Sequence, residues 1–107
     1  MRIVWDEAAL NETHAAAVYY HSQQADLGQR FLDAVETAVS KISHRPLLYR
    51  KIADTDVRKC KLPRFPFGII YRVQEETLFI IAVMHFRQAP GYWQHRINPS
   101  RVKPDAR

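Results

Sequence analysis

Phe67-Gly68-Ile69-Ile70-Tyr71-Arg72-Val73-Gln74-Glu75-Glu76-Thr77-Leu78-Phe79-Ile80-Ile81-Ala82-Val83-Met84-His85 contains the longest apolar run of the chain, Leu78 to Met84, and its period sets the architecture. Phe67, Ile69, Tyr71 and Val73 alternate with Gly68, Ile70 and Arg72, which is the two-residue repeat of a strand. Gln74-Glu75-Glu76 is polar and short enough for a hairpin turn. The second strand, Thr77 to about His85, is apolar on both faces, as in a central strand covered on each side. Strict alternation would place Phe79, Ile81 and Val83 on one face, leading to His85 and Arg87.

Upstream, Val57 to Leu62 alternates so that Arg58, Cys60 and Leu62 share a face and Lys59 and Lys61 point the other way. Arg58 on that apolar side needs a carboxylate or backbone carbonyls, and a structural salt bridge is the expected solution. Pro63-Arg64-Phe65-Pro66 is turn material, because neither proline donates to a strand ladder. Before it lies a loop with Leu47, Leu48 and Tyr49 as partial anchors and a polar Asp54-Thr55-Asp56 tip.

Two helices precede the loop. Asp6 follows the β-prone Arg2-Ile3-Val4-Trp5 and offers a side-chain oxygen to a helix starting at Glu7. That helix is expected to run to about Gln24, with Leu10, Ala17 and Val18 on its apolar side. Asp26 and Gln29 have the spacing of a capping box for a second helix. Its stripe is Phe31, Val35, Ala38 and Ile42, widened by Leu32 and Val39, and Pro46 ends it. The order is βααβββ: an α+β domain with a curved, mostly antiparallel sheet and a two-helix hairpin packed on one face. Helices on one face only leave an apolar sheet surface free for a partner segment. Gln88 to Arg107 holds three prolines and few aliphatics, so order is expected to fade beyond Trp93.

The composition fits one small domain: 47% of residues are apolar and 25% charged, enough to build a core and too few charges for general disorder. The single Cys60 excludes an internal disulfide framework and a multi-cysteine zinc site. It reads as a small buried hydrophobe in a reducing compartment. The longest apolar run is about a third of the ~20 residues that cross a bilayer, and no charged-then-apolar leader opens the sequence. A cytoplasmic location with no membrane partner is therefore expected. The five histidines have no metal-ligand spacing and the three glycines form no phosphate loop, so neither metal nor cofactor is expected.

The net charge of +5 is unevenly spread. Residues 1–43 hold three Lys or Arg against six carboxylates, and residues 44–107 hold 13 against 5, so a −3 half precedes a +8 half. The basic half suits an anionic partner. That partner need not be nucleic acid, since phosphate attraction is nonspecific and salt-dependent, and direct DNA binding is not inferred.

Gly28-Gln29-Arg30-Phe31-Leu32-Asp33-Ala34-Val35, Pro63-Arg64-Phe65-Pro66-Phe67-Gly68-Ile69-Ile70-Tyr71-Arg72-Val73 and Ile81-Ala82-Val83-Met84-His85-Phe86-Arg87, with Pro90-Gly91-Tyr92-Trp93 and Arg96, together resemble the RelE/ParE superfamily of type II toxins. The resemblance covers residues 1 to about 97 as a single toxin domain and leaves 98–107 as a flexible tail outside the pattern. It implies a cytoplasmic toxin neutralised by a cognate antitoxin. The antitoxin segment would be acidic and amphipathic, entering as a helix or an added strand. Two modes of action exist in the superfamily. RelE-like members cut messenger RNA in the ribosomal A site, and ParE-like members inhibit DNA gyrase without established hydrolytic chemistry.

RNA cleavage needs a base for the 2′-hydroxyl proton, cations beside the developing phosphorane charge and an acid for the leaving oxygen. Arg64, His85, Arg87 and Tyr92 are the candidates for a nuclease. RelE-like nucleases commonly carry an arginine just before the segment matching Ile69-Ile70-Tyr71, where this sequence has Gly68. That missing cation makes the resemblance ParE-leaning: a plasmid-stabilising, growth-inhibiting gyrase binder. A ribosome-dependent endoribonuclease is the alternative, and a non-toxic antitoxin-binding remnant the third reading. Lys59, Lys61, Arg64, Arg87, Tyr92, Trp93 and Arg96 are the candidates for contacting target or antitoxin. Lys59 and Lys61 also read as a solvated edge, His85 as a hydrogen-bonded core histidine, and Tyr92 and Trp93 as a fold-back over the sheet.

Overall fold

A computed structural model describes residues 1–97; the expected flexibility of 98–107 lies outside the described residues. The elements are β1 (Arg2–Trp5), α1 (Glu7–Gln23), α2 (Leu27–His44), β2 (Arg58–Lys61), β3 (Phe67–Gln74), β4 (Thr77–His85) and a closing 3-10 turn, Gln94–Ile97. The four strands form one sheet in the order β1-β4-β3-β2, antiparallel except for the parallel β1–β4 pair. This is the α+β, βααβββ architecture expected from the sequence.

Asp6 caps α1 as expected, its carboxylate accepting the Ala8 N–H at 2.8 Å. The buried side of α1 keeps Ala17 of the expected one but not Leu10 or Val18. It is made of Ala9, Thr13, Ala16 and Ala17, while Leu10 and Val18 are about half exposed, at 49% and 55%. Small residues win because the hairpin is closely packed: a Cβ on Gly28 of α2 would lie 2.6 Å from the Ala17 carbonyl oxygen. Larger inward side chains would hold the helices apart. α2 buries Phe31, Val35, Ala38, Val39 and Ile42 as its period predicts, with Leu32 at the surface. The capping box is absent. Asp26 has φ −98° and ψ 0° rather than the extended cap conformation, and its carboxylate pairs with Arg30 at 3.0 Å while Gln29 donates to Asp33.

The helices cover one sheet face over a core centred on Phe31, Phe67, Tyr71, Leu78 and Ile80. Phe31 meets Phe67 and Phe65 edge-on, with centroids 4.9 and 5.2 Å apart. Phe65 reaches this cluster because the turn before β3 bends through Arg64 at φ +71°.

The second sheet face is also covered, which corrects the expectation of a free apolar surface. Val57, Ile70, Ile81, Ala82, Met84 and Trp93 form a separate buried cluster flanked by Ile52, Tyr92 and Ile97. A bulge organises it. Ile70 stands opposite Ala82 and Tyr71 opposite Ile80, so Ile81 is an extra residue. Ile81 and Ala82 both join this second cluster, whereas Leu78, Ile80 and Val83 join the helix-side core. Phe79 and Ile81 therefore do not share a face with Val83 and His85, as strict alternation had predicted. Trp93, placed by the Tyr92-to-Ile97 fold-back, is only 2% exposed. Order thus continues past Trp93 into the 3-10 turn.

Candidate functional site

β1 accompanies β4 only as far as Ile80, whose carbonyl accepts the Asp6 N–H. Beyond it the open edge of β4 is closed by side chains. The Ile81 carbonyl accepts from Arg96 at 3.0 Å, the Val83 N–H donates to Glu12 at 3.0 Å, and the His85 N–H donates to Gln88 at 2.9 Å. Glu12 is the hub. Its carboxylate takes two hydrogen bonds from Arg96 and one from the Tyr92 hydroxyl at 2.6 Å. Burial first, and then the bond to Glu12, push the Tyr92 hydroxyl well above the usual tyrosine range. Burial alone would lower Arg96, but the bond and charge of Glu12 outweigh it and hold the guanidinium above its ordinary value.

Two candidates lie within the fold. Trp93 is a core residue of the second face, and Arg96, with its side chain 8% exposed, is ion-paired to Glu12. Tyr92 is committed to Glu12. Sequence reading did not single out Glu12, though it lies three positions after Ala9 and four before Ala16, on the inward arc of α1. A carboxylate on that arc signals a buried partner; the distant arginine is not visible until the chain folds. Arg58 also departs from expectation, since its guanidinium donates to the Tyr49 and Leu47 carbonyls at 2.7 and 3.2 Å rather than to a carboxylate.

The remaining candidates are distributed over three depressions. Arg64 borders a groove of about 750 Å³ between α2 and β2, with Tyr20, Leu27, Tyr49 and Phe65 among its apolar lining and Arg30, Lys41 and Lys61 among its cations. Cys60 also lines this groove, and burial pushes its thiol up. His85 faces a hollow of about 420 Å³ between α1 and β4, beside Tyr19 and Phe67. Its Nδ1 accepts the Arg87 backbone N–H at 3.0 Å, which leaves Nε2 as the protonated nitrogen of the neutral ring. Arg87 lies on the sheet's second face with Lys59, Lys61 and Phe86 around a depression of about 460 Å³. The Lys59 ammonium stands 5.4 Å from the Phe86 ring centroid.

Gly68 is what lets Lys59 reach that ring. A Cβ there would meet Lys59 Cγ and Cδ at 3.1 Å, so the lysine stem occupies the space a side chain at 68 would enter. Lys59, Lys61 and Arg87 thus form a basic rim that could attract an anion. His85 borders a different hollow, Arg64 a different groove, and Tyr92 is held on Glu12. Of the four nuclease candidates, Arg64, His85 and Arg87 thus border three different depressions, and Tyr92 is hydrogen-bonded to Glu12. Among the described residues, no three His, Cys, Asp or Glu side chains are placed to hold a metal ion, and no helix is long and apolar enough to cross a membrane.

The arrangement has known relatives in fold. The structure is similar to that of the chromosomal ParDE toxin-antitoxin system from P. aeruginosa, with TM-score 0.60, 21% identity, and coverage of 79% of this chain and 95% of that one. It is also similar to the intact E. coli RelBE toxin-antitoxin complex, with TM-score 0.53, 17% identity, and coverage of 77% and 92%. An E. coli RelE mutant bound to a RelB peptide gives TM-score 0.61, 19% identity, and coverage of 92% and 95%. Comparison with curated protein sequences gives no match. Residues 3–90 match the model of the ParE toxin of the type II toxin-antitoxin system parDE, so the chain belongs to the ParE toxin family within the RelE/ParE superfamily.

Proposed function

We propose that this toxin acts in the cytoplasm as a ParE-type inhibitor of DNA gyrase, working by binding rather than by hydrolysis, and is held inactive by a cognate antitoxin. The observation that carries this reading is that Arg64, His85 and Arg87 border different depressions and Tyr92 is hydrogen-bonded to Glu12, with the Lys59 stem lying over Gly68. Transition-state stabilisation needs donors and a base aimed at one reacting centre. The α2/β2 groove suits the antitoxin: it is concave, mostly apolar in its lining, and carries Arg30, Lys41, Lys61 and Arg64 against the single carboxylate of Asp33. An acidic amphipathic segment complements both features.

A ribosome-dependent nuclease is the second reading, favoured by the Lys59, Lys61 and Arg87 rim with its Phe86 ring. The two are separated by adding folded toxin to a gyrase supercoiling assay and, in parallel, to ribosomes carrying messenger. Gyrase inhibition without A-site cuts is the expected result. Discrete A-site cuts with full gyrase activity would reverse the assignment, and absence of growth arrest on induction without antitoxin would point to a non-toxic antitoxin-binding remnant.

A further inference from the structure

Residues 41–51, Lys-Ile-Ser-His-Arg-Pro-Leu-Leu-Tyr-Arg-Lys, contain four Lys or Arg and no carboxylate. They run from the last turn of α2 into the loop before β2. Leu47 and Leu48 there are 68% and 56% exposed, and Leu47 is the most exposed large apolar residue among those described. Scattered exposed leucines need no explanation. This pair differs because the backbone beneath it is unusually well fixed.

The Pro46 carbonyl accepts from the Tyr71 hydroxyl at 2.6 Å, and the Leu47 and Tyr49 carbonyls are shared by the Arg58 guanidinium. The Arg45 carbonyl accepts from the Leu48 N–H and the Arg50 carbonyl from the Lys59 N–H, both at 3.1 Å. Five of the six carbonyls from Arg45 to Arg50 are thereby engaged, one of them by the fully buried Tyr71. Two sheet side chains, Arg58 and Tyr71, reach out to hold a loop whose Tyr49 packs against the core while Leu47 and Leu48 face solvent. Fixing a contact segment before binding lowers the ordering cost of association.

We propose that Arg45–Lys51 is a preformed docking knuckle for the toxin's protein target. Leu47 and Leu48 enter an apolar recess on that target, and carboxylates around the recess meet Arg45, Arg50 and Lys51. Neither leucine nor Arg45, Arg50 or Lys51 lines the antitoxin groove, and a solvent-exposed apolar pair set among cations is buried most fully by an apolar recess, which a folded body has and a short segment lacks. The two leucines also favour protein over RNA, because a phosphate backbone provides charge but no apolar recess. The inference rests on the reading that the chain acts by binding a larger protein.

The test compares wild type with Leu47→Ser/Leu48→Ser, Arg50→Glu/Lys51→Glu and, as a control, Leu10→Ser on the outer side of α1. Each is assayed for inhibition of purified gyrase, growth arrest on induction, thermal melting and affinity for the cognate antitoxin. Both loop variants should need on the order of tenfold more toxin for half inhibition and should arrest growth weakly, with melting and antitoxin affinity unchanged. Leu10→Ser should behave as wild type. Full gyrase inhibition by Leu47→Ser/Leu48→Ser overturns the knuckle and leaves the gyrase reading standing; loss in the charge variant alone overturns it in favour of a purely electrostatic contact. If wild type arrests growth without touching gyrase, the gyrase reading fails and growth arrest decides: weakened arrest in both loop variants supports the knuckle, retained arrest in Leu47→Ser/Leu48→Ser overturns it. A wild type that neither inhibits gyrase nor arrests growth overturns both.

Discussion

Arg96 grips both carboxylate oxygens of Glu12, 84 positions earlier in the chain, with Nη1 to Oε1 at 3.0 Å and Nη2 to Oε2 at 2.8 Å. The pair ties the C-terminal turn to α1 and, through Ile81 and Val83, to the free edge of β4. An unpaired strand edge invites association with other strands. Here two charged side chains supply the donor and acceptor that a further strand would have supplied, and the same contacts keep Trp93 seated on the second sheet face.

Removing one member of this pair strands the other in a partly buried site. Arg96→Ala and Glu12→Ala should each cost about 3 kcal/mol in urea unfolding. The double variant should cost at least about 1 kcal/mol less than the sum of the two. Additive losses would mean that the two side chains act independently.

Tyr71 should make the fold sensitive to alkali. Burial is the main reason its hydroxyl is pushed from 10.0 to about 12. Below pH 10 the proton is bound in folded and unfolded chains alike; between about 10 and 12 the unfolded chain releases it and the folded one does not, so stability falls as pH rises through that window. Tyr92 is raised as well and adds in the same direction. Tyr71→Phe should flatten the alkaline fall and cost about 1 kcal/mol at neutral pH through the lost bond to Pro46. Urea titrations across the alkaline range would show it, and an unchanged slope would remove Tyr71 as the cause.

The β3–β4 turn is built against residue preference. Glu75 and Glu76 have φ of +49° and +64°, the left-handed pair of a type I′ turn that favours Asn-Gly. Glu75→Asn/Glu76→Gly should raise stability by about 1 kcal/mol, read as a higher melting temperature. A lower one would show that the glutamates make compensating contacts.

Gly68→Arg replaces the cation that RelE-like nucleases carry. The new side chain can be accommodated if the flexible Lys59 stem moves, since its Cγ and Cδ are the nearest atoms at 3.1 Å. Primer extension on ribosome-bound messenger should still show no cuts, because Tyr92 remains committed to Glu12 and His85 borders a different hollow from the Gly68 side of the sheet. Cleavage appearing with this one change would mean that the missing arginine alone separates the two activities.

Element order, the α2 stripe and the alternation of β2 and β3 were legible because each depends on local periodicity. α1 was less so: with alanines on several sides its inward face is chosen by how closely Gly28 lets the helices approach, a tertiary condition. The face reversal in β4 follows from the Ile81 bulge, and no residue type there announces one. Arg64, Arg87, Lys59 and Lys61 were recognisable as available cations, yet which of them share a depression depends on sheet twist and turn geometry. Tyr92, Trp93 and Arg96 looked like contact residues because aromatic and arginine side chains suit interfaces and cores equally; Glu12 decides between the two, and its role exists only in three dimensions.

The most direct test is the supercoiling activity of purified gyrase titrated with folded toxin, with and without stoichiometric antitoxin. Inhibition that the antitoxin reverses is the predicted result. Full supercoiling at a large molar excess of folded toxin would contradict the account.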